Sequence, residues 1–479
     1  MFSGTTAFFT SVARQMPSAV VLCFLGMMRI VYAQEDARVI TTVAGSGTYG
    51  FAGDGGPALE ARIAAWGIAV DGNGNIYMSD PENSRVRKID GQTGIISTSA
   101  GNGGQNFGGV DLAINRSLLQ PHGLHVDGAG NLYIADRGTA VVRKVDAVTG
   151  LMRAVAGSEF GEGFDGDGGL SGEARFNGLQ DVAVDGAGNL YIADTFNHRI
   201  RRVDAETDIV TTIAGNGIEG FSGDGGPGAE ASLSMPQGVS VDSFGNVYVA
   251  DSNNRRIRRI DGDTGVITTV AGNGFSGFSG DGGQATSAML NGPVDVFVAG
   301  SGRGFIADFA GGEIRAAMFA GQIYISDTFN HRIRRVDEAG IITTVAGSSS
   351  SGFSGDGGQA VRARLTTPSQ IAVDVTGNIY MVDGDSRIRK VEGDPLARVA
   401  EGGGLEMSVD ALHFGELLVG DEATKVLALT NRNNQPIQLT LTLSGSDAFG
   451  METGEVALSP GGRMSVALVF APLIGGEYT

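Results

Sequence analysis

The hexapeptide Ile-Thr-Thr-Val-Ala-Gly and close variants of it recur along most of the chain, closing at Gly45, Gly101, Gly157, Gly215, Gly272 and Gly347, at intervals of 56, 56, 58, 57 and 75 residues. A fixed period of this size means one supersecondary unit used repeatedly, whose apolar faces are buried only when neighbouring copies stack. A second signature lies between the hexapeptides. It is clearest at residues 182–203, Val-Ala-Val-Asp-Gly-Ala-Gly-Asn-Leu-Tyr-Ile-Ala-Asp-Thr-Phe-Asn-His-Arg-Ile-Arg-Arg-Val, and its six versions begin near Ile68, Leu124, Val182, Val239, Val294 and Ile371.

Each unit predicts four short strands, in the third copy at 182–184, 190–193, 199–203 and 209–213. The Asp-Gly-x-Gly-Asn between the first two supplies residues that accept positive φ, as a tight hairpin requires. Four antiparallel strands, small at the inner edge and apolar on both faces, describe a propeller blade between two neighbours. The expectation is a six-bladed β-propeller over residues 39–402, its ring closed by pairing of 39–43 with the last blade. Residues 396–400 are a second candidate for an outermost strand. Gly67, Gly123 and Gly238 are expected where inner strands crowd the axis. The fifth copy carries about 18 extra residues, and Phe-Ile-Ala-Asp at 305–308 competes with Ile-Tyr-Ile-Ser-Asp at 323–327 for its second strand. Either 311–321 forms an extra hairpin or the copy is an imperfect duplication.

These residues resemble the NHL-repeat family, and the long spacer containing Gly-Asp-Gly-Gly is similar to that of teneurin-type NHL domains and bacterial secreted relatives. Asn197-His198-Arg199 and Asn330-His331-Arg332 stand where the family's naming tripeptide falls, with Arg in place of Leu. The resemblance implies a six-bladed propeller used for recognition or scaffolding; it names no single ligand.

Composition agrees with many turns joining short apolar strands. There are 78 glycines but only 12 prolines, and hydrophobic residues make up 42 %, which excludes collagen and disorder. A formal net charge of −19 opposes non-specific binding of nucleic-acid phosphates. The N-terminus reads as an export signal over 1–33: Arg14, an apolar run at 19–28, then Val-Tyr-Ala before Gln34. That run is interrupted by Arg29 and is well short of the ~20 residues that span a bilayer. Cys23 is the only cysteine and would leave with the signal, so the mature chain is expected to be secreted or surface-bound, without a disulfide or a membrane span.

After the Gly-rich segment at 401–404 the pattern changes to spaced alternating strands, suggesting a β-sandwich over 405–479. It resembles the Ig-like modules of the ASH and choice-of-anchor D type, and it stops where such a module would begin its final strand, leaving an incomplete sandwich. The fold class read from the sequence is therefore all-β, a six-bladed β-propeller with a partial C-terminal Ig-like β-sandwich.

Several motifs invite chemistry. Asp54, Asp167, Asp224, Asp281 and Asp356 lie in Gly-Asp-Gly-Gly loops of the kind that can hold calcium, but each loop offers few carboxylates, and a turn in which Asp bonds nearby backbone amides is the expectation. The Gly-rich strings lack the strand-then-helix context of a dinucleotide fingerprint. The third strands are basic, as in Arg-Ile-Arg-Arg at 199–202, and are expected to ion-pair locally on blade surfaces rather than to meet nucleic acid. His198 and His331 read as turn residues, and His125 as packed in a strand; His413 lies beyond the propeller.

The connections into the innermost strands should emerge on the same face as the hairpins between second and third strands. That face would gather Trp66, His122, Gln180, Gln237 and Ser369 around the channel, with Val294 at the sixth position. One aromatic, one imidazole and several amide or hydroxyl groups suit a polar ligand. A single histidine falls short of the three protein ligands of a catalytic zinc site, so neither metal nor cofactor is expected. The function read from the sequence is a secreted recognition or scaffold protein binding a protein, peptide or glycan. The alternative is a hydrolase or lyase with an unrecognised site in the channel.

Overall fold

The computed structural model of the protein describes residues 38–393, apart from 105–109, 159–160, 300–304, 309–312, 317–321 and 375. For strands Phe305–Asp308 and Glu313–Ala316, and for those between 405 and 470, it describes the backbone. The export segment at 1–33 and the candidate outer strand at 396–400 lie outside the described residues.

Six antiparallel sheets form the blades of a propeller. Their innermost strands are Ile68–Val70, Pro121–Val126, Leu179–Val184, Pro236–Val241, Pro293–Val298 and Ile371–Val373, in blades 1 to 6. Blade 3 continues with Leu190–Asp194, Arg199–Val203 and Val210–Ala214, each paired with its predecessor. The sequence places these strands to within a residue, except that the innermost begins three residues earlier. The reason is a bulge: Leu179 pairs with Asp194 but Val182 with Ile192, so one extra residue is accommodated on the inner strand. Blades 2, 4 and 5 carry the same bulge.

Ring closure is as expected from sequence. Val39–Ala44 pairs with Arg387–Val391 and supplies the outer strand of blade 6, so one blade is assembled from both ends of the propeller. The faces between blades are apolar because each sheet is covered on both sides. Ala183, Tyr191 and Ile200 of blade 3 pack on Val239, Val249 and Ile260 of blade 4. Across the closure, Ala372, Tyr380 and Ile388 of blade 6 pack with Ala44 on Ile68, Met78 and Ile89 of blade 1.

In blade 5 the competition between two candidate second strands is resolved. Ile323–Asp327 pairs with Pro293–Val298 as the true second strand, while Phe305–Asp308 pairs only with Glu313–Ala316, a separate two-stranded hairpin between them. Beyond the propeller, strands Leu405–Ser408, Ala423–Asn431, Arg463–Phe470 and Phe449–Met451 form one antiparallel sheet and Ile437–Leu441 with Gly454–Leu458 a second.

The basic third strands meet the expectation of local surface pairing only in part: Arg202 and Arg259 pair with Asp204 and Asp261 at the surface, at 2.9 and 2.8 Å. Arg87, Arg201, Arg258, Arg334 and Arg389 are fully buried. Arg258 is typical: its guanidinium lies 2.7 Å from Asp224 and 3.3 Å from Asp251, over the ring of Phe221. Asp224 also accepts a hydrogen bond from Thr269 Oγ1 at 2.6 Å. The equivalent carboxylates Asp54, Asp167, Asp281 and Asp356 are engaged in the same way, by an arginine of the third strand and a threonine of the fourth. The Gly-Asp-Gly-Gly loop is thus a clasp folded back on its blade by an ion pair between a buried arginine and a partly exposed aspartate, instead of a turn bonding its own amides.

The Asp-Gly-x-Gly-Asn turns do bond their own backbone. Asp185 accepts from Ala187 N and Asn189 N at 3.0 and 2.9 Å, and Asn189 Nδ2 donates to its other oxygen.

Candidate functional site at the channel mouth

The aspartate that ends each second strand fixes which loops share a face. Asp194 accepts from the backbone N–H of Asn177, which leads into the innermost strand of blade 3, at 2.7 Å, and from Asn197 Nδ2 at 2.8 Å. Asp136, Asp251, Asp327 and Asp383 hold the chain leading into their own innermost strands in the same way, through Leu119, Ser234, Asn291 and Thr366. The connection into the inner strand and the turn between the second and third strands therefore emerge together. Burial pushes Asp194 and Asp251 up to about 6, opposed by these hydrogen bonds and by Arg201 and Arg258.

In blades 2 to 5 the bulge falls at two successive residues of the inner strand, and these with their equivalents in blades 1 and 6 form two rings of positions. The upper ring is the one expected from sequence. His122, Gln180 and Gln237 lie within their inner strands, whereas Trp66 and Ser369 lie just before theirs. Four of the five are joined around the channel. Ser369 Oγ donates to the Trp66 carbonyl at 3.2 Å, the Trp66 and His122 rings lie 5.0 Å apart between centroids at 40°, and His122 Nδ1 lies 2.7 Å from Gln180 Oε1. Gln237 and Val294 are partly buried at the remaining positions.

An imidazole facing an amide oxygen through Nδ1 carries its proton there, which leaves Nε2 as a bare acceptor. His122 is 93 % buried by its 7 % relative exposure, and desolvation holds it down to about 4, so it is neutral. Its Nε2 has no hydrogen-bond partner among the described residues.

The lower ring holds Gly67, Gly123 and Gly238, the glycines expected to crowd the axis, each of which a neighbouring strand approaches closely, together with Asp181, Asp295 and Gln370, which the sequence did not single out. Both aspartates are buried. Asp181 accepts the Val239 N–H at 2.9 Å, and Asp295 accepts those of Ile371 at 2.9 Å and Val296 at 2.8 Å. Gln370 accepts from Ile68 N at 3.3 Å, and its amide favours the charged form of the Asp181 carboxyl, so the opposed blades 6 and 3 approach one another at the floor of the mouth. Desolvation, and then the charge of Asp295, raises Asp181 well above the carboxylate range; desolvation pushes Asp295 up to about 7. The available signal was that this repeat column holds only glycine or a polar residue in all six copies.

His198 and His331 adopt left-handed backbone conformations at φ 53° and 56°, and their Nδ1 atoms lie 3.2 Å from Met235 N and 2.5 Å from the Thr366 carbonyl oxygen. His125 pairs with Tyr133 in the blade 2 sheet. His413 lies outside the described residues. Among the described residues no three His, Cys, Asp or Glu converge to hold a metal ion, and no helix is long and apolar enough to cross a membrane.

Fold and site together define an all-β, six-bladed propeller with a polar mouth above a carboxyl floor. The Teneurin NHL domain family matches residues 217–277 and 349–400, supporting an NHL β-propeller family for the chain. Human teneurin-1 is 25 % identical over 75 % of this chain and 13 % of its own length. NHL repeat-containing protein 2 of Bos taurus is 27 % identical over 49 % of this chain and 36 % of its own. The chain thus spans well under half of these relatives. Among solved structures, an auxiliary nutrient binding protein from Bacteroides thetaiotaomicron has a similar fold, with a TM-score of 0.51 at 18 % identity over 75 % of this chain and 77 % of that one.

Proposed function

We propose that the protein is a secreted or cell-surface recognition or scaffold module that binds a protein, peptide or glycan at the channel mouth, with Trp66, His122, Gln180, Gln237 and Ser369 as contact residues and no catalytic step. The observation that carries this reading is His122: a nearly buried imidazole, oriented by Gln180 and backed by Trp66, whose Nε2 acceptor meets no protein donor. Nε2 is not sealed from solvent, so an incoming donor can reach it without displacing a protein partner. The nutrient-binding role of the solved neighbour agrees in class with binding, as a likeness of fold only.

The test begins with affinity capture from native extracellular material using the propeller as bait. Changing Trp66 and His122 to Ala together should then weaken the captured partner at least tenfold with the melting temperature little changed. Unchanged affinity, with loss of binding on substitution of the opposite face, would overturn the assignment.

A further inference from the structure

The floor of the mouth holds two buried carboxyls without a compensating cation. The aspartates that end the second strands are buried as well, but Asp136, Asp194, Asp251, Asp327 and Asp383 each face an arginine, between 2.7 and 3.7 Å away. Asp181 and Asp295 are met only by backbone N–H groups and the Gln370 amide, and no ion pair reaches either among the described residues. Asp181 directly follows Gln180, which orients His122, and its Cα lies 2.5 Å from where a Cβ on Gly123, the residue after His122, would stand. Asp181 therefore packs against the backbone of the residue that follows the imidazole. Gly67, Gly123 and Gly238 leave three of the six floor positions without side chains.

We propose that the mouth takes a primary ammonium group, from a lysine side chain or a peptide N-terminus, placed beside Trp66, donating to His122 Nε2 and neutralised by the Asp181–Asp295 pair. This deepens the binding reading above and rests on it. An ammonium offers three donors from one compact charge, which matches a lone imidazole acceptor, a carboxyl pair and an aromatic face. A guanidinium seeks both oxygens of one carboxylate, and both oxygens of Asp295 already accept backbone N–H groups. A metal ion would need more oxygen or nitrogen ligands than converge here. The flanks suit a peptide carrier. Phe196 and Phe329, 40 % and 59 % exposed, come from the same two blades as the aspartates and lie against Gly178 and Gly292, two residues before the upper ring.

The pair should yield its proton when an ammonium arrives, so binding tightens as pH rises through neutrality while the amine stays charged. Titration calorimetry on the propeller would use Nα-acetyl-lysine amide and alanyl-alanine amide, each with a counterpart whose amine is acetylated. One of the two amines should bind at least tenfold more tightly than its acetylated form, and which one identifies the source. Its affinity should rise several-fold from about pH 6 to about pH 8 with release of a proton seen as a buffer-dependent heat. Asp295→Asn should abolish the preference for the amine. If that variant does not fold, the wild-type pH series decides.

Equal affinity for acetylated probes, no binding of any probe, or weakening as pH rises would overturn the proposal. Failure of the amine probes while Trp66 and His122 still control the captured partner removes this inference alone. Indifference of that partner to Trp66 and His122 removes the mouth reading itself.

Discussion

The Asp295 carboxylate of blade 5 accepts the backbone N–H of Ile371 in blade 6, with Oδ2 to N at 2.9 Å. Asp181 does the same for Val239 in the blade that follows its own, as does Ser240 Oγ for Val298 at 3.1 Å. Innermost strands are edge strands, so N–H groups facing the axis have no sheet partner. A short polar side chain from the preceding blade satisfies them, and it does so where the neighbouring glycine leaves space.

Asp295 should make stability depend on pH in the direction opposite to a salt-bridged aspartate. Its folded value is pushed up to about 7 from 3.8, so between those limits the folded chain holds a proton that the unfolded chain has released. That contribution is full below pH 4, falls as pH rises to about 7 and is level above, by about 1 kcal/mol per unit for one proton. Asp295→Asn cannot titrate, so denaturation from pH 4 to 8 should show the variant gaining on the wild type by that slope.

Arg258 and Arg259 are adjacent but not equivalent. Arg258 is fully buried between Asp224 and Asp251, whereas Arg259 and its partner Asp261 are about one-third exposed. Arg258→Met leaves two carboxylates without their cation and should cost about 3–5 kcal/mol. Arg259→Ala should cost no more than about 1 kcal/mol. Urea denaturation of both variants checks the contrast.

Gly238→Val should destabilise by about 1–3 kcal/mol, because a Cβ there meets Asp295 Oδ1 at 2.5 Å and its Cα at 2.7 Å. Gly186→Ala, where a Cβ meets nothing within 4 Å, is the control and should leave the midpoint nearly unchanged.

Blade 6 puts Asp385 where blades 3 to 5 have the asparagines Asn197, Asn254 and Asn330, whose amides donate to the strand-ending aspartate. Here Asp383 Oδ2 and Asp385 Oδ1 are buried without a hydrogen-bond donor, and burial with the Asp385 charge pushes Asp383 up to about 6. Asp385→Asn restores a donor at the cost of the ion pair with Arg387, and should stabilise by about 0.5–1 kcal/mol above pH 6. Calorimetric melting at pH 8 measures it.

Removing residues 38–44 should lower the melting temperature by well over about 5 °C and broaden the transition, because blade 6 loses its outer strand and the buried Ile40 and Ala44. A chain that melts unchanged would show that the closure contributes little.

The number of blades, the closure by the N-terminal strand and the bounds of the three outer strands of blade 3 to about a residue were legible in the sequence, whereas the early start of its innermost strand was not. The legible features follow from local periodicity: apolar residues on both faces of short strands, punctuated by turns that need Gly, Asp and Asn. Trp66, His122, Gln180 and Ser369 occupy equivalent repeat positions and lie next to one another, because a six-fold repeat places equivalent positions on one ring. What tertiary structure alone decided were the partners. The carboxylates of the Gly-Asp-Gly-Gly loops read as turn residues, yet each meets an arginine more than 30 residues away, as Asp224 meets Arg258 at 34 positions' separation. Asp181 lies far in sequence from Asp295 and Gln370, and only the closed ring brings it near them. Repeat spacing fixes which face a residue occupies. Which charges meet, and which are left without a counter-ion, depends on how the bulges and glycines of different blades bring side chains to a common axis.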